Sequence, residues 1–452
     1  MEERWDVIIV GARCAGATLA TLLARRGLRI LLLEASSRGT NMPMSTHLVQ
    51  SAGMDVLDRL GVGGRVRACT PPSARLRFAL DDAAVIPQAA EGRAAYCVRR
   101  STLDPWLQDT AEQAGAELRC RERVIDLLRQ GERVTGVVVR TPEGVRSYHA
   151  ELVVGADGVH SSVAELAGVE SYLVSDCTRA GHFSYYPAPE RWDEEWDGTL
   201  EHRGNELRYV FRTDGDQVLL VYVGEREEVN GWGAQRAEKL REAFARSPST
   251  RRLSEGKAPL GASVGLLKAT FFYRRPVGPG FALVGDAGHF KDFVTGQGMA
   301  DAFLDAEQLA TAILDGRDEA FTHYWRESDV LSLPLHFDAN RQGAVGYNEP
   351  FMRWVIGRIA RDPALTLRVS DMLDRKIDPG EMVPGGRLVA MVGAALLRGR
   401  FDVLGGFLAT GRQLGREAKE LAARRALLAE AQARLATAPP RARQRVVHEH
   451  AA

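Results

Sequence analysis

No sign of charge is in excess in this chain. Its 59 lysines and arginines face 59 aspartates and glutamates, so it has neither the basic footprint that binds nucleic acid nor an acidic tail. Cysteine is scarce and scattered. Cys14, Cys69, Cys97, Cys120 and Cys177 include no C-x-x-C pair, which removes the usual zinc spacing and any disulfide framework. A cytoplasmic location is expected. The longest apolar run, Leu388 to Leu397, falls far short of the roughly 20 residues that span a bilayer, and Arg398, Arg400 and Asp402 follow it at once. The opening MEERWDVIIVG enters an apolar run straight from acidic residues, unlike a signal peptide. No Ser/His/Asp triad, metal-ligand cluster or internal repeat stands out. A soluble chain whose partner is a small molecule is the expectation, as monomer or homodimer.

At 452 residues, there is length for two or three domains, or one large domain with insertions. Val7 to Val10 is short, β-branched and apolar throughout, the pattern of a buried parallel strand. Gly11-Ala12-Arg13-Cys14-Ala15-Gly16 follows, then a helical pattern to Arg26-Gly27 and a second apolar strand, Ile30 to Leu33, ending at Glu34. Strand, glycine turn, helix, strand and acid in this order make a nucleotide-binding βαβ unit. Gly11 makes the turn, Gly16 lets helix and strand pack closely, the helix N-terminus faces a pyrophosphate, and Glu34 accepts from a ribose. Arg13 stands where the middle glycine of G-x-G-x-x-G would be, so it either points away from the phosphates or gives them a charge.

Two later strands also end in an acid beside glycine. Leu152 to Gly155 runs into Asp157-Gly158, and Phe281 to Val284 into Gly285-Asp286, followed by Gly296-Gln297-Gly298 at the start of a helix. Such turns, far apart in sequence, suit a cofactor longer than a mononucleotide. Ser101 or Thr102 is the expected N-cap of a helix reaching about Ala114, with Arg100 near its start. The Ser45-Thr46-His47 loop either lies over a cofactor ring or simply caps the next helix at Ser45.

Taken in order, these motifs resemble the FAD-dependent para-hydroxybenzoate hydroxylase superfamily, with its aromatic hydroxylases, epoxidases, geranylgeranyl reductases and flavin halogenases. The N-terminal unit resembles the family's ADP-binding fingerprint, Asp157-Gly158 its DG motif, and Gly285-Asp286 with Gly296-Gln297-Gly298 its GD motif. Arg100, Leu103 and Leu107 match its R-x-x-L-x-x-x-L pattern. The resemblance covers roughly residues 5 to 330. It implies an α/β fold, a Rossmann-like FAD-binding domain with an inserted antiparallel β-sheet substrate domain and a C-terminal helical region. It further implies FAD as cofactor and NAD(P)H as transient reductant. The implied cofactor-binding set is Gly11, Arg13, Ala15, Gly16, Glu34, Ala35, Arg100, Asp157, Gly285, Asp286, Gly296, Gln297, Gly298 and Met299. Two positions depart from the pattern: Phe293 replaces a frequent proline, and Ala300 a common asparagine. Lys291, Asp292 and His47 are the catalytic candidates, the first two either a mutually paired surface turn or a gate and proton donor. No metal is expected.

The expected division places the FAD-binding domain at 1–70, 95–170 and 276–330, the substrate sheet at 71–94 and 171–275, and the helical region at 331–452. Aromatic residues from Phe183 to Tyr222 lean towards an apolar substrate. After about Val330 the chain reads as helical, with Leu333-Pro334-Leu335 breaking the period. Phe351 to Ala360 and Leu388 to Leu397 are apolar enough to cover a pocket. Arg412 to Ala436 reads as one surface helix, and the Pro439-Pro440 tail as disordered. The leading expectation is a monooxygenase using NAD(P)H and O2 to hydroxylate or epoxidise an apolar substrate. A flavin-dependent double-bond reductase, or a non-redox, cyclase-like role for bound FAD, stands as the alternative. A halogenase is a further rival, though its W-x-W-x-I-P motif is missing.

Overall fold

The apolar runs of the first fifty residues show no alternation because both of their faces are buried. In the computed structural model, which describes residues 4–192, 194–247, 250–347 and 349–439, Arg4–Val10 lies between Ile30–Glu34 and Gly144–Gly155, parallel to both. Phe281–Leu283 extends the parallel sheet beyond Gly144–Gly155, and Glu117–Cys120 beyond Ile30–Glu34. Ile9, Leu32, Val154 and Ala282 point into one core layer. Ile8, Leu31, Val153 and Leu283 point into the other. Val10 pairs with both Leu33 and Gly155, and Gly155 with Leu283. That register brings Gly11, Glu34, Ala156 and Val284 together at the carboxyl edge of one sheet, where ligands bind in such folds.

Arg133–Thr141 pairs antiparallel with Gly144–Gly155 as a hairpin, and the returning strand does not stop there. The strand is 12 residues long, and its second half, from His149 to Gly155, pairs with Arg4–Val10 in the central parallel sheet.

The aromatic middle of the chain forms a second sheet of seven strands. Its order is Val264–Leu266, Arg179–Pro187, Gln217–Glu225, Glu206–Thr213, Gly198–Arg203, Leu76–Leu80 and Ala83–Val85. Pairing is antiparallel except between Gly198–Arg203 and Leu76–Leu80. One face carries Phe183, Tyr209, Phe211 and Val221 towards Phe293 and Val294. Tyr186, Tyr222 and Trp232 on the other face pack with Leu240 and Phe244 of the Arg236–Ala245 helix. The architecture is thus the expected α/β one, with a Rossmann-like sheet, separate antiparallel sheets and C-terminal helices.

In the C-terminal region the helix does not break at Pro334. Asp318–Gly343 runs for 26 residues through it. A proline removes one N–H and costs about 3 kcal/mol in a helix interior, but here Leu333, Pro334 and Leu335 are all buried, and packing keeps the helix continuous. The surface helix begins earlier than its composition suggests, at Val403, and extends to Thr437 along Asp318–Gly343. Arg317 Nη1 ties its end by donating to the Leu435 and Ala438 carbonyls, each at 3.0 Å. Pro350–Ile359, Pro363–Leu373 and Gly385–Leu396 bury their apolar faces on one another and on Val85. Of the expected disordered Pro439-Pro440 tail, all but Pro439 lies outside the described residues. Among the described residues, no helix is long and apolar enough to cross a membrane.

Candidate functional site

At the carboxyl edge of the parallel sheet a cavity of about 560 Å³ opens. Gly11, Arg13, Ala15, Glu34, Ala35, Arg100, Asp157, Asp286, Gly296, Gly298 and Met299 line it, as do Lys291 and Asp292. Gly16, His47, Gly285 and Gln297 do not line it.

Gly11 has φ +102°, and a Cβ there would lie 2.4 Å from the Ala156 carbonyl oxygen. No residue but glycine fits such a turn without strain. Gly16 is just as tight, its Cβ position 1.8 Å from the Gly11 carbonyl oxygen. The Cys14–Ala24 helix starts here with no acid in its first turn and no side-chain cap. Arg13 lines the cavity, and its buried Nη1 has no hydrogen-bond partner among the described residues. Glu34 is 6% exposed and accepts from the Ala12 N–H at 3.2 Å and the Ser36 N–H at 2.9 Å. Arg100 Nε donates to Asp104 at 2.7 Å. Burial makes the Cys14 thiol hard to ionise, pushing its pKa up to about 12.

Asp157 is largely occupied locally, accepting from Ser161 Oγ at 2.5 Å and the Ser162 N–H at 2.7 Å. Asp286 is different. Protein surrounds it, yet its side chain is exposed to the cavity, and burial pushes its carboxyl up to about 6, with Asp301 adding to the rise. The helix expected after Arg100 forms, but neither Ser101 nor Thr102 caps it: Arg99 is the N-cap, and Thr102 Oγ1 donates to Asp214 at 2.7 Å. Ser45 is not a cap either. It lines the cavity, and the Ser51–Leu60 helix begins after Gln50.

Lys291 and Asp292 are not paired with each other, and neither lies on the surface; they are 5% and 3% exposed. Lys291 forms an ion pair with Asp301, in the first turn of the Gly298–Asp315 helix. Asp301 also accepts from Arg375 at 2.6 Å, and Arg375 reaches Gln297 at 2.7 Å. Burial works against the Asp301 carboxylate, but Lys291 and Arg375 overcome it and hold its pKa below the usual range. Asp292 accepts the Val294 N–H at 3.1 Å, and burial pushes its pKa up to about 7. His47 lies against Tyr185, its Nε2 hydrogen-bonded to the phenol. Burial, aided by Arg100, drops its pKa to about 3, so it is a neutral imidazole at ordinary pH.

Phe183, Leu266, Phe290 and Phe293 give the cavity an apolar end, with Phe183 and Phe293 ring centroids 6.1 Å apart. Ala300 is fully buried against Gly53, where a Cβ on residue 53 would lie 3.2 Å from its own. The missing side chain at Gly53 is what lets Ala300 approach this closely. Asp301 and Arg375 were not foreseen. Asp301 lies three residues past a motif glycine and had a local signal; Arg375 is 74 residues farther on and had none.

These donors and acceptors fit a dinucleotide. An orphaned guanidinium and an uncapped helix start suit a pyrophosphate, and Glu34 and Asp286 suit hydroxyls. The sequence model of the FAD binding domain family matches residues 4–320. The chain belongs to that family. It is an FAD-dependent oxidoreductase with FAD as its cofactor. The digeranylgeranylglycerophospholipid reductase of Methanothrix thermoacetophila is 27% identical, over 74% of this chain and 86% of that protein. The probable electron transfer flavoprotein-quinone oxidoreductase YdiS of Escherichia coli is 27% identical, over 71% and 78%. The fold is also that of flavin-dependent brominase Bmp2, with TM-score 0.71 at 17% identity, covering 88% of this chain and 99% of that one. OxyS anhydrotetracycline hydroxylase from Streptomyces rimosus gives 0.65 at 21%, covering 82% and 75%.

Proposed function

We propose that this flavoprotein uses NAD(P)H to reduce a carbon–carbon double bond in an apolar small molecule held against Phe183, Leu266, Phe290 and Phe293. The observation that carries this reading is Asp292. It is a buried carboxyl on the cavity wall whose pKa of about 7 leaves a large fraction protonated at neutral pH. Saturating a double bond takes a hydride equivalent at one carbon and a proton at the other. FAD, when bound, supplies the hydride chemistry; Asp292 gives the proton and recovers it from solvent. Gly11, Arg13, Ala15, Glu34 and Ala35 would hold the nucleotide half of the cofactor, and Arg100, Asp286, Gly296, Gly298 and Met299 the remainder. Lys291 adds a cation to the helix start at Gly298, where the dipole favours negative charge.

The digeranylgeranylglycerophospholipid reductase relatives support this reading, and their name points to long unsaturated apolar chains as the substrate class. Phe293 and Ala300 support it as departures from the hydroxylase pattern. The inserted sheet, with residues 71–94 and 171–275, would provide the substrate wall.

A second reading is oxygen insertion into the same apolar substrate, a monooxygenase reaction with NAD(P)H and O2. The aromatic end of the cavity favours it, because such chemistry must be shielded from water. Anaerobic turnover separates the two. With unsaturated prenyl lipids and NAD(P)H under nitrogen, a product heavier by two hydrogens is expected. Turnover that stops without oxygen, with label from O2 in the product, would establish the second reading instead.

A further inference from the structure

The Gly385–Leu396 and Val403–Thr437 helices meet in a hairpin whose outer side is unlike the rest of the surface. On the inside, Met391, Val392, Ala395 and Val403 are buried in the C-terminal cluster. On the outside, Val389 is 61% exposed, Leu397 90%, Phe401 70% and Leu408 52%. Behind them the outward positions are small, among them Gly386, Gly393, Gly405 and Ala409.

Charge around this face is one-sided. From Gly385 to Arg416 the chain carries five arginines, no lysine and a single carboxylate, Asp402, although its total charge is zero. Arg400 pairs with Asp402 at 2.8 Å, and Arg387 with Asp362 at 2.9 Å. Arg398 donates to the Ala394 carbonyl at 2.9 Å. Arg412 and Arg416 are exposed and have no carboxylate partner among the described residues.

We propose that this hairpin docks the protein on a lipid surface bearing anionic headgroups. Leu397 and Phe401 enter the acyl boundary, while Arg398, Arg400 and Arg412 meet phosphates. Large apolar groups at a tip, small residues behind them and guanidinium groups at the rim complement such a boundary in both shape and charge. The contact is peripheral, since no helix among the described residues is long and apolar enough to cross a membrane. A second copy of the chain fits less well: a two-fold contact would set these arginines against themselves with only Asp402 to offset them.

Flotation of the full chain, loaded with FAD, tests this with vesicles of phosphatidylcholine alone and of phosphatidylcholine mixed with phosphatidylglycerol. Binding to the mixed vesicles that weakens as salt is raised is the expected result. Leu397→Asp with Phe401→Asp should lower vesicle partitioning on the order of a hundredfold, and Arg398→Gln with Arg400→Gln about tenfold. Melting temperature and bound-FAD absorbance should not change, because these side chains are exposed. Failure of the parent protein to float with anionic vesicles overturns the proposal. So does a dimer in sedimentation velocity that Leu397→Asp with Phe401→Asp dissolves, which would assign the face to a second copy.

Discussion

Gly11, with φ +102°, and Arg375, with φ +58°, are both left-handed turn residues that shape the same cavity, and they do so by opposite means. Gly11 works by having no side chain, so that the Ala156 carbonyl can approach. Arg375 works through its side chain, reaching from the helical region to Asp301 and Gln297. A backbone role of the first kind is settled by neighbours in sequence, whereas the second depends on which distant carboxylate the fold brings near.

The largest effect should come from removing the point where the two regions meet. Asp301→Asn leaves Lys291 and Arg375 facing each other without their carboxylate, and breaking such a buried pair costs about 3–5 kcal/mol. Denaturant unfolding measures it; a change under about 1 kcal/mol would mean that the C-terminal region adds nothing to the site.

Asp292 sharpens the contrast, being a buried carboxyl that accepts a backbone N–H rather than an ion pair. Its folded pKa of about 7 lies above the ordinary carboxyl value of 3.8, so the unfolded chain gives up its proton first as pH rises. Stability is therefore lost between about pH 4 and pH 7, by at most about 4 kcal/mol. Asp292→Asn should remove that dependence and make the protein more stable at pH 8. Under the proposed mechanism it should also abolish the fall in turnover as pH rises through about 7. A variant that is less stable at pH 8 would show that the carboxylate is held by partners rather than strained.

On the N-terminal side, Gly11→Ala should cost about 1–3 kcal/mol in backbone strain alone and lower FAD retention, read from the flavin-to-protein absorbance ratio. Arg375→Gln should cost least, about 1 kcal/mol, because Lys291 still pairs with Asp301. A larger drop in FAD retention for Arg375→Gln than for Gly11→Ala would reverse the comparison.

The same contrast decides what could be read from sequence. Gly11, Gly16 and Glu34 are legible because turn, close packing and strand end are local constraints, and their strand register follows from apolar runs buried on both faces. Pro334 misleads because helix propensity is local while the packing that overrides it is not. His47 looks like a ring-facing loop residue, yet its position with φ +57° takes it to Tyr185 and not to the cavity lining. The Lys291–Asp292 dipeptide reads equally as surface or site until Asp301 is found beside it. Arg375 sits in a stretch whose composition says only helix and turn.

The Asp301 contacts also impose an order in time. Lys291, Asp301 and Arg375 leave the ribosome in that sequence, and Arg375 follows Asp301 by 74 residues, roughly 4–15 s at typical synthesis rates of about 5–20 residues per second. For that interval the nascent chain has one cation on the carboxylate instead of two. The wall of the cavity is thus laid down first and fastened later, and a chain cut short before residue 375 would keep the wall without its fastening.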